Sequence, residues 1–223
     1  MGNVDGNEAN LLAGSFTSPL TSNLGVQGDV LAGKINSKTT KGLGVHLFWR
    51  DSEKGLLGLT TSRTKYDSSK LNGTGLEGEY YFKKTTIAGE FGRQTGNIEN
   101  SNYSRLNLAY YPISNLALSV GGTRENNNNK SNIDIEYQIK ITGLSVFANA
   151  STGDNSYDHV IGGIRYYFGK QKSLIERHRK DDPLNLLFTG ASELSQATEE
   201  RLRTEEAARI AAEEETPSGG GGR

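Results

Sequence analysis

The chain has 223 residues, a formal net charge of −1 and a mean hydropathy of −0.59, with 28 glycines, 4 prolines and no cysteine. That length suits one β domain with an appendage, and no run approaches the roughly 18 apolar residues of a spanning helix, which excludes a helical membrane protein. The missing cysteines exclude disulfides, thiolate catalysis and Cys-ligated zinc, and the near-zero charge gives no reason to expect nucleic acid as a partner.

After Met1, the stretch GNVDGNEAN lacks the basic and apolar regions of a signal peptide and reads as a loop or disordered start, residues 1–10. From Leu11 to Gly169 the chain is a series of period-2 segments broken by Gly, Asn, Ser and Asp clusters. This is the pattern of strands joined by turns. Eleven segments are legible: ANLLAGSFTSPL, LGVQGDVLAGKI, KGLGVHLFWR, GLLGLTTSRTKY, LNGTGLEGEYYF, TTIAGEFGRQTG, YSRLNLAYYP, LALSVGGTREN, NIDIEYQIKI, GLSVFANAST and HVIGGIRYYFG. Most have the length that a tilted strand needs to cross a bilayer, against five or six residues for an ordinary globular strand. Low hydropathy is compatible with this, because only alternate residues of a barrel strand meet lipid. The fold class expected is an all-β, antiparallel up-and-down transmembrane β-barrel over 11–169, of roughly ten to twelve strands.

Short connections (SPLTSN, DSEKG, KKTT, PISN, KITG) alternate with longer polar ones (NSKTTK, KYDSSK, GNIENSN, ENNNNKSN, STGDNSYD). This is the contrast expected between periplasmic turns and extracellular loops. With that orientation the last segment descends to the periplasm, and so does the first. Since single-chain bacterial barrels have an even number of strands, a further ascending strand is expected upstream of Met1, together with the signal peptide; the alternative is one segment split or merged.

One face of the segments is apolar: Leu43, Val45, Leu47 and Trp49, or Ile133, Ile135, Tyr137 and Ile139. The opposite face places Asp29, His46, Arg50, Glu77, Glu79, Glu90, Arg105, Asp134, Glu136, Lys140 and Arg165 in the lumen. Followed to the short-turn ends, the apolar face carries Trp49, Tyr80, Phe82, Tyr110, Tyr166 and Phe168, the aromatics of an interfacial girdle. Followed to the loop ends it carries Lys34, Lys41, Arg63, Lys65, Lys70, Arg93 and Arg124. Cations there would meet outer-membrane lipid and the phosphates of lipopolysaccharide.

The closing segment GGIRYYFG, ending in an aromatic and followed by SLIERHRKDDP, resembles the small porin-like outer-membrane proteins of proteobacteria. The resemblance implies a bacterial outer-membrane location, and it implies that Phe168, with Tyr166 beside it, is read by the barrel-assembly machinery. More than fifty residues follow Phe168 here, a departure from the family's terminal aromatic.

Little in the chain suggests catalysis. The histidines His46, His159 and His178 show no metal-ligand spacing, and no cofactor motif is present. A barrel hydrolase would need a serine with a partnered histidine, for which His46 is the strand-borne candidate. The mixed lumen charges have two readings: they pair and plug a narrow interior, or they line a weakly selective water-filled path. The functional expectation is a porin-like narrow channel or structural surface protein; the alternative is a soluble all-β binding module with its apolar faces packed together.

Beyond the barrel, residues 170–190 read as a linker and 191–215 as a Glu/Ala/Arg-rich helix. Ser192 would be its N-cap and Pro217 its stop, before a flexible tail over 216–223. Its thin apolar stripe (Leu194, Leu202, Ile210) suits a solvated periplasmic helix or a weak contact with a periplasmic partner. LNLLF at 184–188 is expected to dock under the barrel mouth.

Overall fold

A computed structural model describes residues 1–97, 100–125, 128–140, 143–154, 157–181 and 187–215, with side chains at 187–190, 193, 200 and 212–215 left aside. The chain forms β1 (Gly2–Val4), β2 (Asn7–Pro19), β3 (Leu24–Ile35), β4 (Lys38–Asp51), β5 (Gly55–Tyr66), β6 (Ser69–Phe82) and β7 (Thr85–Gly96). It continues through β8 (Ser101–Tyr110), β9 (Leu116–Glu125), β10 (Asn128–Gln138), β11 (Leu144–Gly153) and β12 (Asp158–Tyr166) to the helices α1 (Leu174–Lys180) and α2 (Leu187–Glu215). The twelve strands pair with their sequence neighbours, all antiparallel, and β1 pairs with β12 to close a barrel.

The eleven segments read from the sequence are β2 to β12. The twelfth strand lies in the N-terminal stretch expected as a loop: Gly2–Val4 pairs with Ile161, Val160 and His159 on one side and with Ala9, Glu8 and Asn7 on the other. Asp5 and Gly6, both at positive φ, make the tight Asp-Gly turn into β2. Closure by β1 covers only part of the seam. Beyond Met1, which exchanges hydrogen bonds with Gly162, Leu11–Pro19 of β2 and Gly163–Tyr166 of β12 have no ladder partner on their facing edges among the described residues. These two strands run in the same direction, so only a strand antiparallel to both fits between them.

The expected contrast in loop length is not what the fold shows. At the rim where long loops were expected, β1–β2, β3–β4 and β5–β6 are joined by two residues each, 5–6, 36–37 and 67–68, while the opposite rim has 20–23, 52–54, 83–84 and 111–115. Asn36 and Ser37 both adopt positive φ, the geometry of a two-residue hairpin turn. The polar stretches NSKTTK and KYDSSK are mostly strand. Threonine, tyrosine and lysine continue the ladder above the apolar belt, so their polarity marks height rather than a loop.

Inside, aromatic rings lie across glycines of the neighbouring strand. Phe48 covers Gly25, Tyr103 covers Gly92 and Phe147 covers Gly163, each a directly opposed pair. A Cβ at Gly92 would stand 2.6 Å from the Tyr103 hydroxyl, so glycine makes the room for each ring.

Candidate functional site

Outward positions form a continuous apolar belt: Leu43, Leu57, Phe91, Leu106 and Ile133 are each more than 60% exposed. A soluble protein does not leave so broad an apolar surface in water. No described helix is long and apolar enough to cross a membrane; the strands, sheathed in this belt, are what can. Trp49, Tyr80, Phe82, Tyr110 and Tyr166 face outward at one rim, and Phe168 continues that face just past β12, its ring edge-on to Tyr166 at 4.8 Å. Lys34, Lys41, Arg63, Lys65, Lys70, Arg93 and Arg124 face outward at the other rim and are exposed.

The inward positions hold a polar network. His46 lies between two carboxylates, its Nε2 2.8 Å from Asp29 and its Nδ1 2.8 Å from Glu77. Gln27 donates to Asp29 at 3.0 Å and accepts from Thr17 at 2.6 Å, which carries the chain of contacts from β2 to β6. Glu90 accepts from Tyr103 at 2.5 Å and from Arg105 at 3.0 Å. Asp134 accepts from Asn132 and Asn149, Glu136 from Arg165 at 2.6 Å and Tyr167 at 3.0 Å, and Glu79 from Tyr81 at 2.7 Å. With a carboxylate against each ring nitrogen, His46 has no nitrogen left to take a proton from a serine, the step a barrel hydrolase requires.

Lys140 is a correction. The β10 ladder ends at Gln138, and Lys140 sits exposed in the following turn at φ 48°; strand parity no longer governs it there, and it does not line the lumen. His159, left out of the lumen set, is buried inside it and bonded to Tyr157 at 2.7 Å and to Asn149. The outward Val160 beside it carried that information.

The C-terminal segment enters the barrel instead of hanging below it. In the stretch expected as a linker, α1 closes the aromatic-rim mouth. Its N-cap Ser173 and Glu176 form a capping box, and Leu174 is buried with Ala109, Tyr111 and Ala117. His178 lies between the hydroxyls of Tyr111 and Tyr167, at 3.0 and 3.1 Å. Arg179 donates to the Thr85 carbonyl at 2.8 Å, and Arg50 to the Lys180 carbonyl.

The first half of α2 fills the opposite mouth. Leu194 is buried among Val4, Ile35, Tyr66, Leu71 and Ile161, and Ala191 against Leu31. Ser192 lies inside the helix, not at its N-cap, and its hydroxyl is 2.8 Å from that of Tyr157. Glu199 accepts from Lys38 at 2.8 Å and from Tyr66 at 2.6 Å. Leu202 and Ile210 lie on the exposed half. Beside α2 a cavity of about 220 Å³ remains, bordered by Asp5, Asn7, Asp158, Glu199 and Arg203. Residues 184–186 of LNLLF, Pro217 and the expected flexible tail lie outside the described residues, and the side chains of Leu187 and Phe188 are not described.

A closed twelve-strand antiparallel barrel, apolar outside, aromatic at one rim and polar within, has the architecture of the small porin-like outer-membrane barrels. Comparison with solved structures agrees. The KdgM porin superposes with a TM-score of 0.60 at 8% identity over 73% of this chain and 95% of its own. The same porin in complex with disordered oligogalacturonate gives 0.59 at 8% identity over 71% and 92%. A chain from work on the in-meso crystallization of membrane proteins gives 0.54 at 13% identity over 78% and 88%. No family model and no curated protein matches the sequence. The soluble alternative finds no support: among the described residues nothing covers the outward apolar faces.

Proposed function

We propose that this chain is a porin-like barrel of the bacterial outer membrane, its lumen closed by its own C-terminal segment to give a gated, narrow path. The observation that carries the reading is the placement of α1 and α2 in opposite mouths, each bonded to inward side chains of the wall, Arg179 to Thr86 and Glu199 to Tyr66. The paired lumen charges favour it as well. Passing a polyanion such as oligogalacturonate would need unpaired cations, whereas Arg105 is held by Glu90 and Arg165 by Glu136. The occupied ring of His46 favours a non-enzymatic role.

The aromatic rim is taken as periplasmic, with Phe168 as the contact for the barrel-assembly machinery. On this orientation the exposed half of α2 emerges on the outer side, and any partner it meets is met there. Planar-bilayer recording of the full chain tests the proposal. Rare, brief openings that lengthen in Glu199→Gln are expected, and a large, steady conductance in the unaltered chain would reject the closed state.

A further inference from the structure

The two helices occupy different mouths, and the distance between them fixes the course of the chain. α1 sits at the aromatic rim: Leu174 packs with Ala109, Tyr111 and Ala117, and the Lys180 carbonyl accepts from the inward Arg50 near the end of β4. α2 is held at the opposite rim, and its partners climb as it advances. Ala191 packs on Leu31, Leu194 packs with Ile35 and Tyr66, and Glu199 pairs with Lys38. Leu31 lies within β3, Ile35 ends it and Lys38 follows the hairpin turn, so α2 points out of the barrel with its C-terminal end.

From Asp181 to Leu187 the chain can span at most about 22 Å. A course outside the wall would have to climb β4, whose 14 residues make about 45 Å of strand and stand about 35 Å high at the usual barrel tilt. It would then have to descend again to reach Ala191. Only the line through the lumen is short enough, so the chain enters at one rim and leaves by the other.

The two halves of α2 suit different surroundings. Inside, Ala191, Ser192, Ser195 and Thr198 are buried, and their small side chains let the helix stand close to the wall. Outside, every residue from Arg201 to Ala211 is exposed. There the helix is braced by its own pairs, Arg201 with Glu205 at 3.7 Å and Arg209 with Glu206 at 2.7 Å. A helix that is polar nearly all round bridges through solvent and does not pack on a surface. A plug would need nothing beyond Arg203, which borders the mouth cavity. α2 goes on to Glu215, about 24 Å past Glu199.

We infer that the barrel conducts its own carboxyl-terminal segment across the outer membrane and displays it at the cell surface, with the outer half of α2 as the stalk. The cargo is the polypeptide itself, and whatever is joined to the end of α2 stands clear of the rim. The inference rests on the membrane reading above and on the aromatic rim being periplasmic.

The test uses the full chain in the outer membrane of intact cells. Because the chain has no cysteine, single cysteines can be labelled with a membrane-impermeant maleimide. Three exposed sites are compared: Ala208→Cys on the stalk, Ser68→Cys in the turn between β5 and β6, and Glu53→Cys in the turn between β4 and β5 at the aromatic rim. Ala208→Cys and Ser68→Cys are expected to label alike in intact cells, and Glu53→Cys only after permeabilisation. Heat-modifiable gel migration confirms that each variant has closed its barrel. Labelling of Ser68→Cys without Ala208→Cys in intact cells would overturn the inference and leave the orientation standing. Labelling of Glu53→Cys without Ser68→Cys would overturn the orientation, and display at the surface with it. A chain that is monomeric in plain buffer would instead overturn the membrane reading itself.

Discussion

The hydroxyl of Tyr66 donates to the carboxylate of Glu199 at 2.6 Å, joining the end of β5 to α2 across 133 residues of sequence. With Lys38 at 2.8 Å on the same carboxylate, this is the polar latch of the mouth that α2 fills. Hydrogen bonds to a charged group are worth roughly 1.5–3 kcal/mol each, and the site is only partly shielded. Glu199→Gln is expected to cost the docked helix about 1–3 kcal/mol and to raise open probability in single-channel records. Leu194→Ala, which empties the apolar half of the contact, should cost about 2–5 kcal/mol and act in the same direction. An unaltered open probability in both variants would show that α2 does not gate the lumen.

Acid should work on the same latch. Burial opposes the charge on Glu199, but the hydrogen bonds from Lys38 and Tyr66 outweigh it and hold the carboxyl below its ordinary 4.5. A carboxyl with a lowered folded value contributes stability that is complete above 4.5 and lost as the pH falls through that lowered value. Across the cavity, burial pushes Asp5 up from 3.8, so its protonation favours the folded mouth and partly offsets the loss. Openings are therefore expected to increase below about pH 4.5 in the unaltered chain, with a shallower dependence in Glu199→Gln. Identical pH profiles for the two proteins would exclude Glu199 as the acid-sensitive group.

Removing His46 should leave two carboxylates facing one another inside the wall. Deleting one partner of a buried charged set costs about 3–5 kcal/mol, so His46→Ala should lower the temperature of heat-modifiable unfolding. Replacing Asp29 and Glu77 by Asn and Gln in the same variant should recover part of the loss. Lipid hydrolysis that disappears in His46→Ala would contradict the non-enzymatic reading.

At Gly92 a methyl group has nowhere to go: it would stand 2.4 Å from the Thr74 carbonyl and 2.6 Å from the Tyr103 hydroxyl. Gly92→Ala should cost about 1–3 kcal/mol through overpacking and displace Tyr103 from Glu90. Tyr103→Phe, which removes the hydroxyl and leaves the ring in place, should cost less. Chemical denaturation of both variants gives the order.

The partly closed seam should show in hydrogen exchange. Along Leu11–Pro19 the ladder to β3 satisfies one edge only, whereas β5 is paired with β4 and β6 on both edges. Alternate amides of β2 in this stretch should exchange quickly in micelles while those of β5 stay protected. Uniform protection along β2 would contradict the partial closure of the seam.

Most of the wall was legible because a strand has a period of two and the barrel has two environments. Val45 and Leu47 had to face away from His46, and the outward ring of Trp49 and Tyr80 followed from the same count. The reading failed where that count stops governing the backbone. Lys140 is set by a turn conformation, and Gly2–Val4 is too short to show a period. The polar ends of β3 to β6 looked like loops because composition reports polarity, not pairing. Ser192 looked like a cap because propensity cannot see the Tyr157 hydroxyl that buries it.

The sequence by itself determined the two faces of the wall, the aromatic and cationic rims and the helical character of the tail, since each rests on local periodicity or propensity. Only the tertiary structure decided that the tail enters the barrel. Leu174, Ala191, Leu194 and Glu199 form too sparse a stripe to name the surface they bury. That surface is assembled from Tyr66, Ile35, Tyr111 and Tyr157, residues far apart in the chain that converge only when the barrel closes.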